Sequence, residues 1–178
     1  MSNDLIRLAG GILLGLLLLA GLGASLRYTH PRDTMFKEPV VWDTSTLRLV
    51  NNQRAVTDFS KLKGNWLVVY FWSTSCAQCE AELPSYNRMA RGVTKNSKIK
   101  FLIVSTDAQA DAAFKYVAEK NYQGVDSYVL AGGVAGIKPP LVLLINPAGQ
   151  VIGGHREPVN WRDEKVLEVF EWHAKNSK

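Results

Sequence analysis

Cysteine is scarce in this chain, with two among 178 residues, and there are only three histidines. A structural zinc site takes about four Cys or His ligands, and His30, His155 and His173 are scattered without ligand spacing, so the composition argues against zinc. No internal repeat or low-complexity tract appears. The net charge of +5 raises the question of an anionic partner. Lys95, Lys98 and Lys100 cluster, but no aromatics are interleaved with them and the C-terminal helix is acidic, so they read as a solvated face with no nucleic acid partner. Attraction to a membrane surface is the remaining use for that charge. Charge of either sign is missing altogether from Leu8 to Leu26.

The two cysteines that are present stand three apart, as Cys76-Ala77-Gln78-Cys79, directly after the apolar run Trp66–Trp72. A strand that hands a cysteine to the first turn of a helix makes a redox centre. The thiolate is the attacking species in disulfide exchange. Unpaired N–H groups and the helix dipole at an N-terminus can draw a Cys-X-X-Cys thiol from ~8.5 down to roughly 3.5–7.5. Cys76 takes that position. Residues three apart on a helix lie on one face, close enough for slight tightening to form the disulfide, so Cys79 is the resolving thiol. A purely structural disulfide is the bland alternative, but so short a loop restricts the unfolded chain little. The pair needs no cofactor beyond its own redox-active disulfide.

With 47% hydrophobic residues, the chain suits one domain of ordinary core size plus an appendage. Residues 1–7 form a short tail, and 8–26, at ~1.5 Å per residue, just span a ~30 Å hydrocarbon layer. This predicts one transmembrane anchor. A cleaved signal peptide is the competing reading, but there is no clean A-x-A site and the apolar stretch exceeds a usual h-region. Gly11 and Gly15 form a GxxxG pair of the kind that supports helix pairing. Arg27, Arg32 and Lys37 after the segment outnumber Arg7 before it, against the positive-inside rule for an outward-facing domain. A short N-terminal tail and the better employment of a dithiol where disulfides persist favour the outer face. Residues 27–39, polar with Pro31 and Pro39, read as a tether, and the folded domain is expected over 40–178.

Within it, Val40–Trp42 and Leu47–Leu49 are expected to pair as a hairpin around Asp43–Thr46, ahead of the central strand Trp66–Trp72. A helix follows from about Cys76 to Arg91, with Pro84 predicted to kink it. Ile99–Thr106 reads as a strand, and Asp107 as the N-cap of a helix carrying Ala110, Ala113, Phe114, Val117 and Ala118. Ser127–Leu130 reads as a short strand, and Leu141–Asn146 with Gln150–Gly153 as a hairpin. Asn160 and Asp163 resemble a capping box for a last helix presenting Val166, Val169, Phe170 and His173. The order predicts an α/β fold with a central mixed sheet and helices on both faces.

The segment Phe71-Trp72-Ser73-Thr74-Ser75-Cys76-Ala77-Gln78-Cys79-Glu80-Ala81-Glu82-Leu83-Pro84 resembles the active-site segment of membrane-anchored thioredoxin-like proteins of the TlpA/ResA/CcmG group, and also the suppressor-of-copper-sensitivity D type. Leu62-Lys63-Gly64 before the strand matches the group, as does Pro140-Leu141-Val142-Leu143-Leu144-Ile145-Asn146, where such proteins carry a cis-proline facing the dithiol. Coverage runs from about Val40 to Phe170. The resemblance implies a thioredoxin-like fold and a thiol–disulfide oxidoreductase held in the bacterial inner membrane with its domain in the periplasm. In that reading Cys76 attacks and Cys79 resolves, while Pro140, Pro139, Trp72 and Ser75 line the substrate groove. The implied partners are a protein thiol or disulfide substrate and a membrane-bound electron donor. The implied employment is extracytoplasmic protein or metallocofactor assembly, such as cytochrome c biogenesis.

Three positions depart from the group. Ser75 replaces the usual Trp before the first cysteine and leaves the thiol more open. Tyr70 stands where thioredoxins carry a buried Asp and cannot serve as a carboxylate base, so proton transfer falls to Glu82 or water. A glutamate there is more often a solvated, dipole-complementing residue. Pro139 has no N–H to offer a bound substrate. The uncharged Ala77-Gln78 pair lacks the histidine of oxidising members, which implies a reducing or isomerising role. The reading of another class is a thioredoxin-fold binding module or copper chaperone without turnover, and a disulfide oxidase is the other enzymatic one. Copper chaperones of related fold pair a wider-spaced dithiol with a nearby histidine. His155 would be that residue here, though an exposed strand-end histidine is the simpler reading.

Overall fold

The computed structural model describes residues 35–36, 43–93, 98–132 and 137–176. The expected anchor at 8–26, most of the tether and the expected strand Val40–Trp42 lie outside them. Among the described residues no helix is long and apolar enough to cross a membrane.

Seven strands form one sheet: β1 (Arg48–Val50), β2 (Val56–Asp58), β3 (Trp66–Trp72), β4 (Ile99–Ser105), β5 (Asp126–Leu130), β6 (Leu141–Ile145) and β7 (Val151–His155), in the spatial order β2-β1-β5-β4-β3-β6-β7. β3 runs parallel to β4, from Trp66 opposite Ile99 to Trp72 opposite Ser105. It runs antiparallel to β6, from Leu67 opposite Ile145 to Phe71 opposite Leu141. Every residue of β3 is buried, which explains its unbroken apolar run, because a strand covered on both faces has no solvent side to alternate with.

Among the described residues three α-helices accompany the sheet: α1 (Ala77–Val93), α2 (Ala110–Lys120) and α3 (Glu164–Asn176). Trp66, Val68, Tyr70 and Trp72 pack with Cys79, Leu83, Tyr86 and Ala90 of α1, Ala113 of α2 and Phe170 of α3. The odd-numbered Leu67, Val69 and Phe71 pack with Leu47, Leu49, Phe59 and Ile137. Helices were expected on both faces. Among the described residues all three share one core cluster, and the opposite face is covered by the β1 region, the 3-10 turn Phe59–Leu62 and Ile137. The physical reason is handedness: β3-α1-β4 and β4-α2-β5 step the same way along the sheet, and two right-handed crossovers in one direction put both helices on one side.

Local chemistry moved several expected elements. Thr44–Thr46 is a 3-10 turn capped by Asp43, whose Oδ1 accepts from Ser45 N–H. β1 pairs instead with β2, through a turn in which Asn51 Oδ1 accepts from Gln53 and Ala55 N–H. α1 continues through Pro84, which removes one helical donor without ending the helix. α2 begins at Ala110 after Gln109, which makes no side-chain cap, because Asp107 is engaged elsewhere. α3 begins after Asp163, whose Oδ1 accepts from Lys165 N–H at 3.0 Å, while Asn160 serves the preceding turn through Arg162 N–H. Gly149, at φ +87°, closes the Pro147-Ala148-Gly149 turn between β6 and β7 in a conformation that glycine adopts without strain.

Met35 and Phe36, counted with the tether, pack on the core. The Phe36 ring lies 5.9 Å from that of Phe170, and a Cβ on Gly153 would fall 2.5 Å from the Phe36 carbonyl oxygen. Tyr86 ties helix to sheet from the centre, its hydroxyl 2.7 Å from Val68 O and 3.0 Å from Leu102 O. Replacing Tyr86 with Phe removes the donor from a site with no access to water. It is expected to cost about 1–3 kcal/mol in urea denaturation while leaving the fold intact.

Candidate functional site

At the C-terminal end of β3 the chain turns through Ser73–Cys76, with Cys76 N–H donating to Ser73 O at 3.1 Å. Cys76 stands immediately before α1, and its carbonyl accepts Glu80 N–H at 3.0 Å, so it is the N-cap of the helix. Cys79 N–H donates to Cys76 Sγ at 3.1 Å, which makes the sulfur the capping atom. A free helix-end N–H aimed at a sulfur stabilises its anion. The two sulfurs are joined as a disulfide, S–S 2.04 Å. They differ in access. Cys76 is partly exposed, whereas Cys79 is 0% exposed and belongs to the core.

One helical turn beyond Cys79, Glu82 is only 9% exposed. Its Oε2 accepts from Tyr70 OH at 3.2 Å and from Trp161 Nε1–H at 3.0 Å, and its Oε1 accepts from Gln78 Nε2–H at 2.8 Å. Glu82 is therefore a buried carboxylate behind the dithiol with three neutral donors, not the solvated residue that is the commoner case. Burial, and then the negative charge and acceptor bond of Glu82, push the Tyr70 hydroxyl well above the ordinary tyrosine range, so Tyr70 remains a donor. Tyr86 is shifted the same way, mainly by burial.

The peptide bond between Pro139 and Pro140 is cis. Because Leu141 pairs with Phe71, Pro140 lies at the same end of the sheet as the Ser73–Cys76 turn. Arg156 Nη1–H donates to Lys138 O at 2.7 Å and ties the end of β7 to this loop. Ser75 is exposed, with its Oγ 3.2 Å from Ser73 Oγ. Trp72 departs from its expected groove position. It is 1% exposed and packs on Tyr116 at 5.1 Å between ring centres, because an even-numbered residue of β3 faces the helical core. His155 is half-buried on β7 opposite Val142. Among the described residues no three His, Cys, Asp or Glu side chains gather closely enough to hold a metal ion.

The fold and this site can be set beside known proteins. A sequence model described as the AhpC/TSA family matches residues 43–152, more than half of the chain. The chain belongs to the AhpC/TSA family. It is 25% identical over 124 residues to the thiol-disulfide oxidoreductase ResA of Halalkalibacterium halodurans, and spans 64% of that relative's length as well as 64% of its own. A secreted Mycobacterium tuberculosis disulfide oxidoreductase, described as homologous to E. coli DsbE, superposes with a TM-score of 0.57 at 20% identity, covering 70% of this chain and 94% of that one. A putative thioredoxin from Neisseria meningitidis superposes with a TM-score of 0.60 at 18% identity, covering 76% and 92%. These likenesses show a thioredoxin-like fold.

Two residues at the site carried no motif in the sequence. Trp161, 79 positions beyond Glu82, reaches it only through the fold. Asp107 accepts from Thr74 N–H at 3.0 Å and from Thr74 Oγ1–H at 2.8 Å, 33 positions apart, where the sequence predicted a helix cap.

The raised tyrosines set the response to alkali. Above pH 10 the unfolded chain releases tyrosine protons that folded Tyr70 and Tyr86 retain. The unfolded state then binds fewer protons, and stability falls as pH rises, by about 1.4 kcal/mol per pH unit for each such tyrosine. Urea midpoints between pH 9 and 11.5 are expected to decline accordingly, and Tyr70→Phe to flatten the decline by one tyrosine's share.

Proposed function

We propose that this chain is a membrane-anchored, extracytoplasmic thiol–disulfide oxidoreductase working in the reducing direction. The observation that carries the reading is the N-cap sulfur: Cys76 Sγ receives Cys79 N–H at the partly exposed helix end, with Cys79 buried behind it. The ResA and DsbE-like relatives support the chemistry by their names, and the apolar run 8–26 supports the anchor.

In the proposed cycle the Cys76 thiolate attacks one sulfur of a substrate protein disulfide. A Cys76–substrate disulfide forms and the other substrate sulfur leaves as a thiolate. Cys79, once deprotonated, attacks Cys76 Sγ, expels the second substrate thiolate and closes Cys76–Cys79. The substrate gains two electrons and this chain loses them, so a dithiol donor, membrane-bound in this reading, must reduce it again. Glu82 takes the Cys79 proton. It shares the buried face of α1 three residues on and accepts from neutral donors alone, where a cation would hold it permanently paired. The reducing direction is supported by the uncharged Ala77-Gln78 pair, which adds no charge to stabilise the dithiol form. The cis Pro139–Pro140 loop and Ser75 offer the open side of the dithiol to substrate.

Reduced protein is expected to turn over an insulin-type disulfide, Cys76→Ser to abolish turnover, and Cys79→Ser to accumulate a mixed disulfide. The Cys76–Cys79 potential is expected near about −270 mV, and a value near about −120 mV would reverse the proposed direction. Glu82→Gln is expected to slow turnover at pH 7 by on the order of 10²-fold. The deficit should shrink as pH rises and hydroxide removes the Cys79 proton without Glu82. A deficit that does not change with pH would remove Glu82 from proton transfer.

A further inference from the structure

We propose that Asp107 is a positioning residue for the attacking thiol: from the end of β4 its carboxylate pins the Ser73–Cys76 turn and so keeps Cys76 at the cap of α1. The proposal rests on the reading of Cys76 as the nucleophile.

Within the turn between β3 and α1, Cys76 N–H donates to Ser73 O, Ser73 Oγ lies 3.2 Å from Ser75 Oγ, and Cys76 O accepts Glu80 N–H. A further restraint comes from across the sheet. Asp107 Oδ1 and Oδ2 lie 3.2 and 3.0 Å from Thr74 N, and Thr74 Oγ1–H donates to Oδ1 at 2.8 Å. The carboxylate is itself held, because Ser105 Oγ–H donates to Oδ2 at 2.6 Å and Asp107 N–H donates back to Ser105 Oγ at 3.0 Å. Ser105 is fully buried in the last position of β4, so this chain of bonds is rooted in the rigid part of the sheet. Thr106 adds a neighbouring link, its N–H donating to Trp72 O at 2.8 Å. The two residues that follow β4 thus grip the end of β3 and the first turn after it.

The acid is spent on this grip at some expense. α2, three residues on, begins at a residue with no side-chain cap, although Asp107 lay within reach of that role in the sequence. Nor does a carboxylate near a thiolate help it electrostatically, since like charges raise each other's protonation. The benefit is geometric. A turn free to rotate would move Cys76 Sγ away from Cys79 N–H, and the anion would lose its donor.

Charge and anchorage therefore predict opposite results on substitution. In the full-length reduced protein, iodoacetamide alkylation of Cys76, followed by mass spectrometry across pH 5 to 10, reads the thiolate directly. Asp107→Ala is expected to raise the midpoint by about one unit and slow alkylation at pH 7 roughly five- to tenfold. Asp107→Asn keeps an oxygen acceptor for Thr74 and is expected to stay within about twofold of the parent rate. Thr74→Val, which loses only the hydroxyl bond, is expected to shift the midpoint the same way by less, and it carries the test if Asp107→Ala does not fold. A thermal shift without a midpoint shift in these variants would mean a structural role alone and would overturn the proposal. So would Asp107→Ala and Asp107→Asn both lowering the midpoint and speeding alkylation, since charge would then be the operative property. A parent protein with the midpoint of a free thiol, ~8.5, would instead sink the reading of Cys76 as nucleophile.

Discussion

The immobility of β3 is the constraint on which the rest of the molecule depends. Both its edges are paired and both its faces are buried, so no residue from Trp66 to Trp72 can shift register without breaking two ladders and two cores. Slipping by one position would turn Tyr70 and Trp72 toward the face built for Leu67, Val69 and Phe71. The end of this strand is consequently a fixed point, and the chain leaves it at Ser73 to reach the disulfide within three residues. A reactive sulfur needs an N–H within about 3 Å of it, and a fixed exit point makes such a tolerance attainable.

Behind the disulfide the same strand supplies chemistry as well as support. Tyr70 faces the helices because it is even-numbered, and from there its hydroxyl meets Glu82. Burying a carboxylate costs several kcal/mol unless its oxygens are hydrogen-bonded. Tyr70, Trp161 and Gln78 meet that requirement from a strand, a turn and the helix itself. The Trp161 ring also lies edge-on to Tyr86 at 4.8 Å, and Tyr86 to Phe101 at 5.5 Å, so the donors are held by an aromatic cluster with little freedom to rotate.

The parts that were legible in the sequence are those encoded locally. The unbroken apolar run could only be a doubly covered central strand, and Cys-X-X-Cys after it could only begin a helix. β6 and β7, with glycine in the turn between them, follow from short-range preference. What was not legible is long-range. The pairing of β1 with β2 and β5 was not legible, because a three-residue strand carries too little pattern to choose its neighbour. Asp107 looked like a helix cap because the preference of Asp for that position is local, whereas Thr74 is brought to it only by the parallel pairing of β3 and β4. Trp72 looked like a groove residue by resemblance, but strand parity sends it inward. Phe36 sits in a polar stretch that gives no sign of the space beside Gly153 that it fills.

Among the described residues α1, α2 and α3 share one face of the sheet, which gives the sheet two unlike sides. On the helical side are Cys79, Glu82, Tyr70 and Trp161, and with them every polar contact behind the disulfide. The other side is apolar through Leu47, Leu49, Phe59, Leu102 and Leu143, with no buried carboxylate among the described residues. The hydrogen bonds of Glu82, three residues beyond Cys79 on α1, therefore all lie on the helical side. The Ser73–Cys76 turn and the Pro139–Pro140 loop lie at the end of the sheet, where Cys76 packs against the helical core and stays partly exposed. The division leaves the exposed Ser75 outside the helical core, so a change there need not disturb the buried carboxylate and its three donors.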